Sequence, residues 1–119
     1  MVARVTSVRV NPEDIDESVR LFDESVIPAV EHEKGFRGVL LLIRDDGHAI
    51  AIDLADTLED VRDNEHTGVY QSQVAKFADK IIEHPHREVY RVAVIRGLKG
   101  GREWMGDGES VPARAGGSA

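Results

Sequence analysis

Residues 35–57 read GFRGVLLLIRDDGHAIAIDLADT, and the way this stretch folds decides the architecture. Two apolar runs flank Asp45-Asp46-Gly47-His48. An Asp-Gly pair between apolar runs is a strong hairpin signal. The reading is therefore two antiparallel strands, 37–44 and 49–55. A two-residue loop at Asp46-Gly47 and a four-residue loop at 45–48 give the same pairing. In both, Ile43 faces Ile50, Leu41 faces Ile52, and Val39 faces Leu54. The opposite side then carries Leu40 against Asp53, Leu42 against Ala51, and Arg44 against Ala49. One side is wholly large and aliphatic. The other is mixed, with a carboxylate among alanines. A hairpin apolar on both sides needs a cover on each. The chain offers helices for one layer only, so a second copy of the sheet is the simplest second cover.

Around the hairpin the pattern is regular. VARVTSVRV (2–10) reads as a strand that ends at Asn11-Pro12. Ile15, Val19, Phe22, Val26 and Val30 then recur at helical spacing, which predicts an amphipathic helix from Glu13 to about Glu33. Pro28 should kink its last turns, and Gly35 is a stop signal. Asp56-Thr57 can cap the next helix. The stretch 57–83 reads as two helical pieces weakened at Gly68. Leu58 and Val61 lie in the first, and Tyr70, Val74, Phe77 and Ile81 form the stripe of the second. His84-Pro85-His86 is expected to end it, before a last strand from Glu88 to Ile95. The order β-α-β-β-α-β predicts an α+β, ferredoxin-like antiparallel four-stranded sheet with both helices on one face. Right-handed crossovers place the first and third strands side by side. Residues 1–96 form this domain, and 97–119 are a Gly-rich C-terminal tail expected to be flexible. Trp104, the lone tryptophan, is the tail's exception, and Met105 follows it.

Composition removes several function classes. The formal net charge of −7 disfavours nucleic acid and anionic membrane surfaces. With no cysteine there is no disulfide, thiolate nucleophile or zinc–cysteine site. The start, with Arg4 and Arg9, does not read as a signal peptide, and Val39–Ile43 is too short to span a bilayer. A cytoplasmic location is the default. No metal and no cofactor is expected: His84-x-His86 with Glu83 lacks the three or four ligands of a real site, and Gly97, Gly100 and Gly101 lack the helix that a phosphate loop requires.

Three residues carry candidate chemistry. Asp53 reads either as a pocket carboxylate, acting as base or hydrogen-bond partner, or as the partner of an arginine such as Arg4 or Arg91 on an adjacent strand. His66 and Tyr70, four apart, would share a helix face near a pocket mouth. A neutral imidazole can abstract a proton there and a phenol can orient a carbonyl. The plainer reading is an exposed histidine at a helix start and a tyrosine at the edge of the core.

The helix ending after Pro28, then Gly35-Phe36-Arg37-Gly38 entering a strand, and a strand ending before Asp56-Thr57-Leu58-Glu59-Asp60 resemble the antibiotic-biosynthesis-monooxygenase-like dimeric α/β barrels, over roughly residues 2–96. The resemblance implies two ferredoxin-like sheets packed into an eight-stranded barrel with the helices outside. Val39, Leu41, Ile43, Ile50, Ile52 and Leu54 would then meet the partner of a homodimer. It implies a pocket between sheet and helices for a small apolar or aromatic molecule. It also implies an activity class, cofactor-independent monooxygenation, beside which stands a non-catalytic binding or interaction module. His66 resembles the histidine often found early in the family's second helix. Two family residues are missing: strand one has no Asn, since Asn11 lies beyond it, and Ala55 stands where a Trp is common. That counts against haem degradation and against the usual polyketide contacts.

Overall fold

The nine-residue strand β1 (Val2–Val10) is one of the two inner strands of the sheet. In the computed structural model, which describes residues 1–97 and 109–113, it pairs antiparallel with β3 (His48–Ala55) on one side and β4 (Ile81–Arg91) on the other. β2 (Phe36–Ile43) lies outside β3, so the strand order is β2-β3-β1-β4. The first and third strands are thus neighbours, as right-handed crossovers require. The predicted ferredoxin-like βαββαβ fold is the observed one.

The first crossover starts at a turn of 3-10 helix, Pro12–Asp14, where the Asn11 side chain accepts the Glu13 N–H at 3.1 Å. Helix α1 (Ile15–Leu21) follows. One wide π-turn, Phe22–Val26, joins it to α2 (Ile27–Glu31). The wide turn sits just before Pro28, whose ring cannot supply an N–H to the helix ladder. In the second crossover, α3 (Leu58–Asn64) is capped by the Thr57 hydroxyl, which accepts the Asp60 N–H at 3.0 Å. Gly68, at φ +81°, then separates α3 from α4 (Val69–Ala75). The two-piece reading of this stretch is correct.

The hairpin departs from expectation. Arg44 N–H donates to the His48 carbonyl (2.9 Å), and Gly47 N–H donates to the Arg44 carbonyl (3.0 Å). The loop therefore has three residues, Asp45-Asp46-Gly47, with Gly47 at φ +89°. That is a turn followed by a left-handed glycine, the usual three-residue hairpin. A side chain at Gly47 is doubly barred, because a Cβ there would lie 2.0 Å from the Val10 carbonyl oxygen. The odd loop length shifts the register by one. Ile43 pairs with Ala49, Leu42 with Ile50, Leu41 with Ala51, Leu40 with Ile52, and Val39 with Asp53.

A one-residue shift moves a whole strand's side chains to the other face. Val39, Leu41 and Ile43 are thus corrected: they lie on the helix side with Ala49, Ala51 and Asp53, not on the outer face. Ile50, Ile52 and Leu54 do face away from the helices, joined by Leu40 and Leu42. The last two are 37% and 46% exposed, so the helices leave that face bare. The side carrying Asp53 does meet its own helices.

The end of the second crossover is corrected too. Ile81 is the first residue of β4 rather than the end of a helix, and His84-Pro85-His86 lies within that strand. Proline is tolerated because β4 is an edge strand and is irregular there. Ser7 pairs with His86 but Arg9 pairs with Glu83, so His84 and Pro85 together oppose Val8. The strand begins seven residues earlier than expected and stops at Arg91. Trp104 and Met105 lie outside the described residues. Of the tail, Val111 lies on the hairpin loop, where its carbonyl accepts the Asp45 N–H at 2.8 Å. Among the described residues no helix is long and apolar enough to cross a membrane.

Candidate ligand-binding site

A cavity of about 130 Å³ lies between the sheet and the helices. Its floor comes from all four strands: Thr6 and Val8, Leu41 and Ile43, Ala49 and Ala51, with Pro85 and Arg87 from β4. The alanines matter most. They stand opposite Leu41 and Ile43 and leave the middle of the floor low. The roof is the predicted stripe of the first crossover, Val19, Phe22, Val26 and Val30, with Val69, Tyr70 and Val74 from α4 and Phe77 just after it. Ser25 and Gln73 bond at 3.0 Å and tie the two helical segments together above it. An apolar enclosure with a few convergent polar groups is the usual form of a small-molecule site.

The charged groups gather at one end. Arg4, whose side chain is 8% exposed, donates through Nε (3.2 Å) and Nη2 (2.9 Å) to Asp53 Oδ2, its cross-strand partner. It also reaches Glu33 at 3.4 Å and Glu65 at 3.3 Å. Arg87, opposite Thr6 on β4, donates to Glu65 at 2.7 Å. Its guanidinium lies 3.6 Å from the centre of the Tyr70 ring, a cation–π contact. Two guanidiniums thus serve three carboxylates.

Burial opposes the charge on Arg4, but the pull of Asp53 and the weaker pulls of Glu33 and Glu65 outweigh it, so its pKa rises. For Glu33 burial wins. It lifts the carboxyl above its ordinary value, the Asp53 charge adds to this, and Arg4 offsets only part. Burial likewise raises Tyr70 against the pull of Arg87, so the phenol keeps its proton at neutral pH. Burial thus favours the protonated form of the Glu33 carboxyl.

The three sequence candidates are placed differently. Asp53 lies on the cavity wall and is also the ion-pair partner of Arg4, so both readings of it describe the same side chain. Tyr70 lines the cavity. His66 is exposed and is not among the cavity-lining residues. It precedes α4 in the turn after α3, so the four-residue spacing to Tyr70 does not put the two on one helix face. Sequence reasoning missed Glu33 and Arg87. Glu33 had a signal: Val26, Val30 and Glu33 continue the buried stripe at four and three residues. Arg87 had none, because it fell just outside the expected strand. Among the described residues no group of three acidic or histidine side chains is placed to hold a metal ion. His86 is instead bonded to Glu88 on the bare face.

No family model and no curated protein matches the sequence. Solved structures do match the fold. A Nitrosomonas europaea protein of unknown function superposes with a TM-score of 0.67 at 13% identity, over 83% of this chain and 95% of its own. A candidate antibiotic biosynthesis monooxygenase from Caulobacter crescentus gives 0.63 at 15% identity, over 75% and 86%. The chain has the fold of the antibiotic biosynthesis monooxygenases. SnoaB, a cofactor-independent oxygenase from Streptomyces nogalater, shares that monooxygenase fold with a TM-score of 0.60 and 17% identity, over 79% of this chain and 94% of its own. At such identities the likeness concerns the backbone, and each side chain of the cavity has to be read from this chain alone.

Proposed function

We propose that this chain, in the residue 1–96 domain, binds one small, mainly apolar aromatic molecule between its sheet and helices, and that it works as a homodimer. The observation that carries the reading is the cavity: an aliphatic and aromatic enclosure with charged groups at one end. A cavity of about 150 Å³ accepts a benzene ring, so at about 130 Å³ this one is of single-ring size, and any substituent would extend through its open side. The dimer would be joined by the bare face, where Leu40, Leu42, Ile50 and Ile52 form a contiguous aliphatic patch on β2 and β3. Patches of this kind mark contact surfaces.

The reaction suggested by the fold is oxygenation without a bound metal or flavin. A base takes a proton from a CH₂ group activated by its ring. The carbanion forms a C–O bond with O₂, and the hydroperoxide loses water to leave a carbonyl. Asp53, His66 and Tyr70 are the groups to test, with Glu33 added as a carboxyl of raised proton affinity. The protein would supply orientation and a dry cavity. A binding module on the same scaffold is the second reading. It draws support from the engagement of Asp53 by two Arg4 nitrogens, which leaves that carboxylate less free as a base.

Mass spectrometry of molecules retained by natively purified protein tests the binding. A one-to-one aromatic adduct is expected, and consistently empty protein would defeat the reading. Oxygen uptake with phenolic polyketides and quinols separates enzyme from module. Full turnover by His66→Ala would remove that histidine from the mechanism.

A further inference from the structure

Arg4 does not satisfy the carboxylates around it. Both of its bonds to Asp53 end on Oδ2, at 3.2 Å and 2.9 Å, so Asp53 Oδ1 takes no hydrogen bond. Glu33 is held through Oε1 alone, by a long 3.4 Å contact to the same Nη2 that already serves Asp53. Its Oε2 takes no hydrogen bond either. The Glu33 and Asp53 side chains are only 9% and 18% exposed, yet neither free oxygen is sealed off from a water-sized probe. Sharing one nitrogen sets the two carboxylates side by side, and both line the cavity.

The neighbouring cations are committed elsewhere. Arg87 serves Glu65 and lies on the Tyr70 ring, and Lys34, next to Glu33 in sequence, is turned to Asp60 and Asp63. Burial and the Asp53 charge both oppose ionisation of Glu33. A cation brought to this point would relieve the repulsion, and an anion would add to it. The space suits one small head group. Arg4, Val30, Glu33 and Asp53 also line a second cavity of about 10 Å³, room for one water-sized group. The ring-sized space and the space for a single polar group therefore share the same two carboxylates. Resting on the reading that the main cavity binds a small aromatic molecule, we propose that its charged end receives a protonated amine against Glu33 and Asp53, so that the ligand is a small arylalkylamine.

The probes are benzylamine, benzyl alcohol, toluene and benzoate, titrated into the full chain by calorimetry at pH 7. They have similar size and differ in the charge of the head. Benzylamine should bind tightest and benzyl alcohol at least about tenfold more weakly, because a charged donor to a carboxylate is worth more than a neutral one. Benzoate should bind weakest. Glu33→Gln keeps the shape and removes the charge. It should take away most of the amine's advantage over the alcohol while leaving toluene binding unchanged, a selectivity that a merely structural role would not alter. Asp53→Asn should act in the same direction, with its folding checked by circular dichroism. Toluene or benzyl alcohol binding as tightly as benzylamine, or an amine advantage that survives in Glu33→Gln, would overturn the amine assignment and leave the cavity reading standing. Failure of all four probes to bind would defeat the cavity reading and the amine assignment with it.

Discussion

On its helix side the sheet presents Val39, Leu41 and Ile43 beside Ala49, Ala51 and Asp53; on its outer side it presents Leu40 and Leu42 beside Ile50 and Ile52. Counted by hydrophobicity, the outer side is the greasier. Yet the helices cover the other. What marks the inner side is size and charge: small residues on β3 that leave room, and Arg4 with its three carboxylates at one end. Apolar content says that a surface is hidden, and the pattern of small and large side chains says whether the hidden space is filled.

Substitutions on alternate residues of β2 test this contrast most sharply. Leu41→Asp places a charge under the helices at a cost of several kcal/mol, and should leave the protein unfolded by circular dichroism. Arg4→Met strands the buried Asp53 and Glu33 carboxylates and should cost about 3–5 kcal/mol, read from urea unfolding. Leu42→Asp, on the bare face, should keep the fold and yield monomers in sedimentation. A folded Leu41→Asp protein beside an unfolded Leu42→Asp one would reverse the two faces.

Smaller effects probe the charged groups. Glu33 has a raised folded pKa, so its contribution to stability is present below the ordinary glutamate value and is lost as the pH rises through the folded one. Glu33→Gln should therefore be neutral or mildly stabilising at pH 7 in thermal melts, with the gain vanishing in acid. Asp46 has the opposite sign. The Arg44 side chain, then the His48 N–H, hold it down to about 2 from 3.8. Its stabilising effect is present above the ordinary aspartate value and is lost as the pH falls through about 2. The stability difference between wild type and Asp46→Asn should stay level from pH 7 to pH 5, then close in strong acid.

Most of the fold is legible in the sequence because its signals are local. The stripe from Val19 to Val30, the Thr57 cap, the break at Gly68 and the Asp-Gly turn each depend on neighbours a few residues away. The misreadings concern quantities that local pattern does not fix. Two-residue and four-residue loops share a parity that a three-residue loop breaks, and Asp45-Asp46-Gly47 suits either. His84-Pro85-His86 looks like a terminator unless β4 is known to be an edge strand with a bulge opposite Val8. The site was half legible for the same reason. Asp53 and Tyr70 reach the cavity through their own elements, whereas Arg87 reaches it through a pairing with β1.

The odd length of the Arg44–His48 connection carries an evolutionary consequence. Loops usually absorb insertions and deletions, but gaining or losing a single codon here, with β3 held by β1, would turn β2 inside out. Leu40 and Leu42, now on the exterior, would turn toward the cavity, and Leu41 and Ile43 would leave its floor in the same event. Changes of two codons would preserve the arrangement, so natural length variation at this bend should run in even steps.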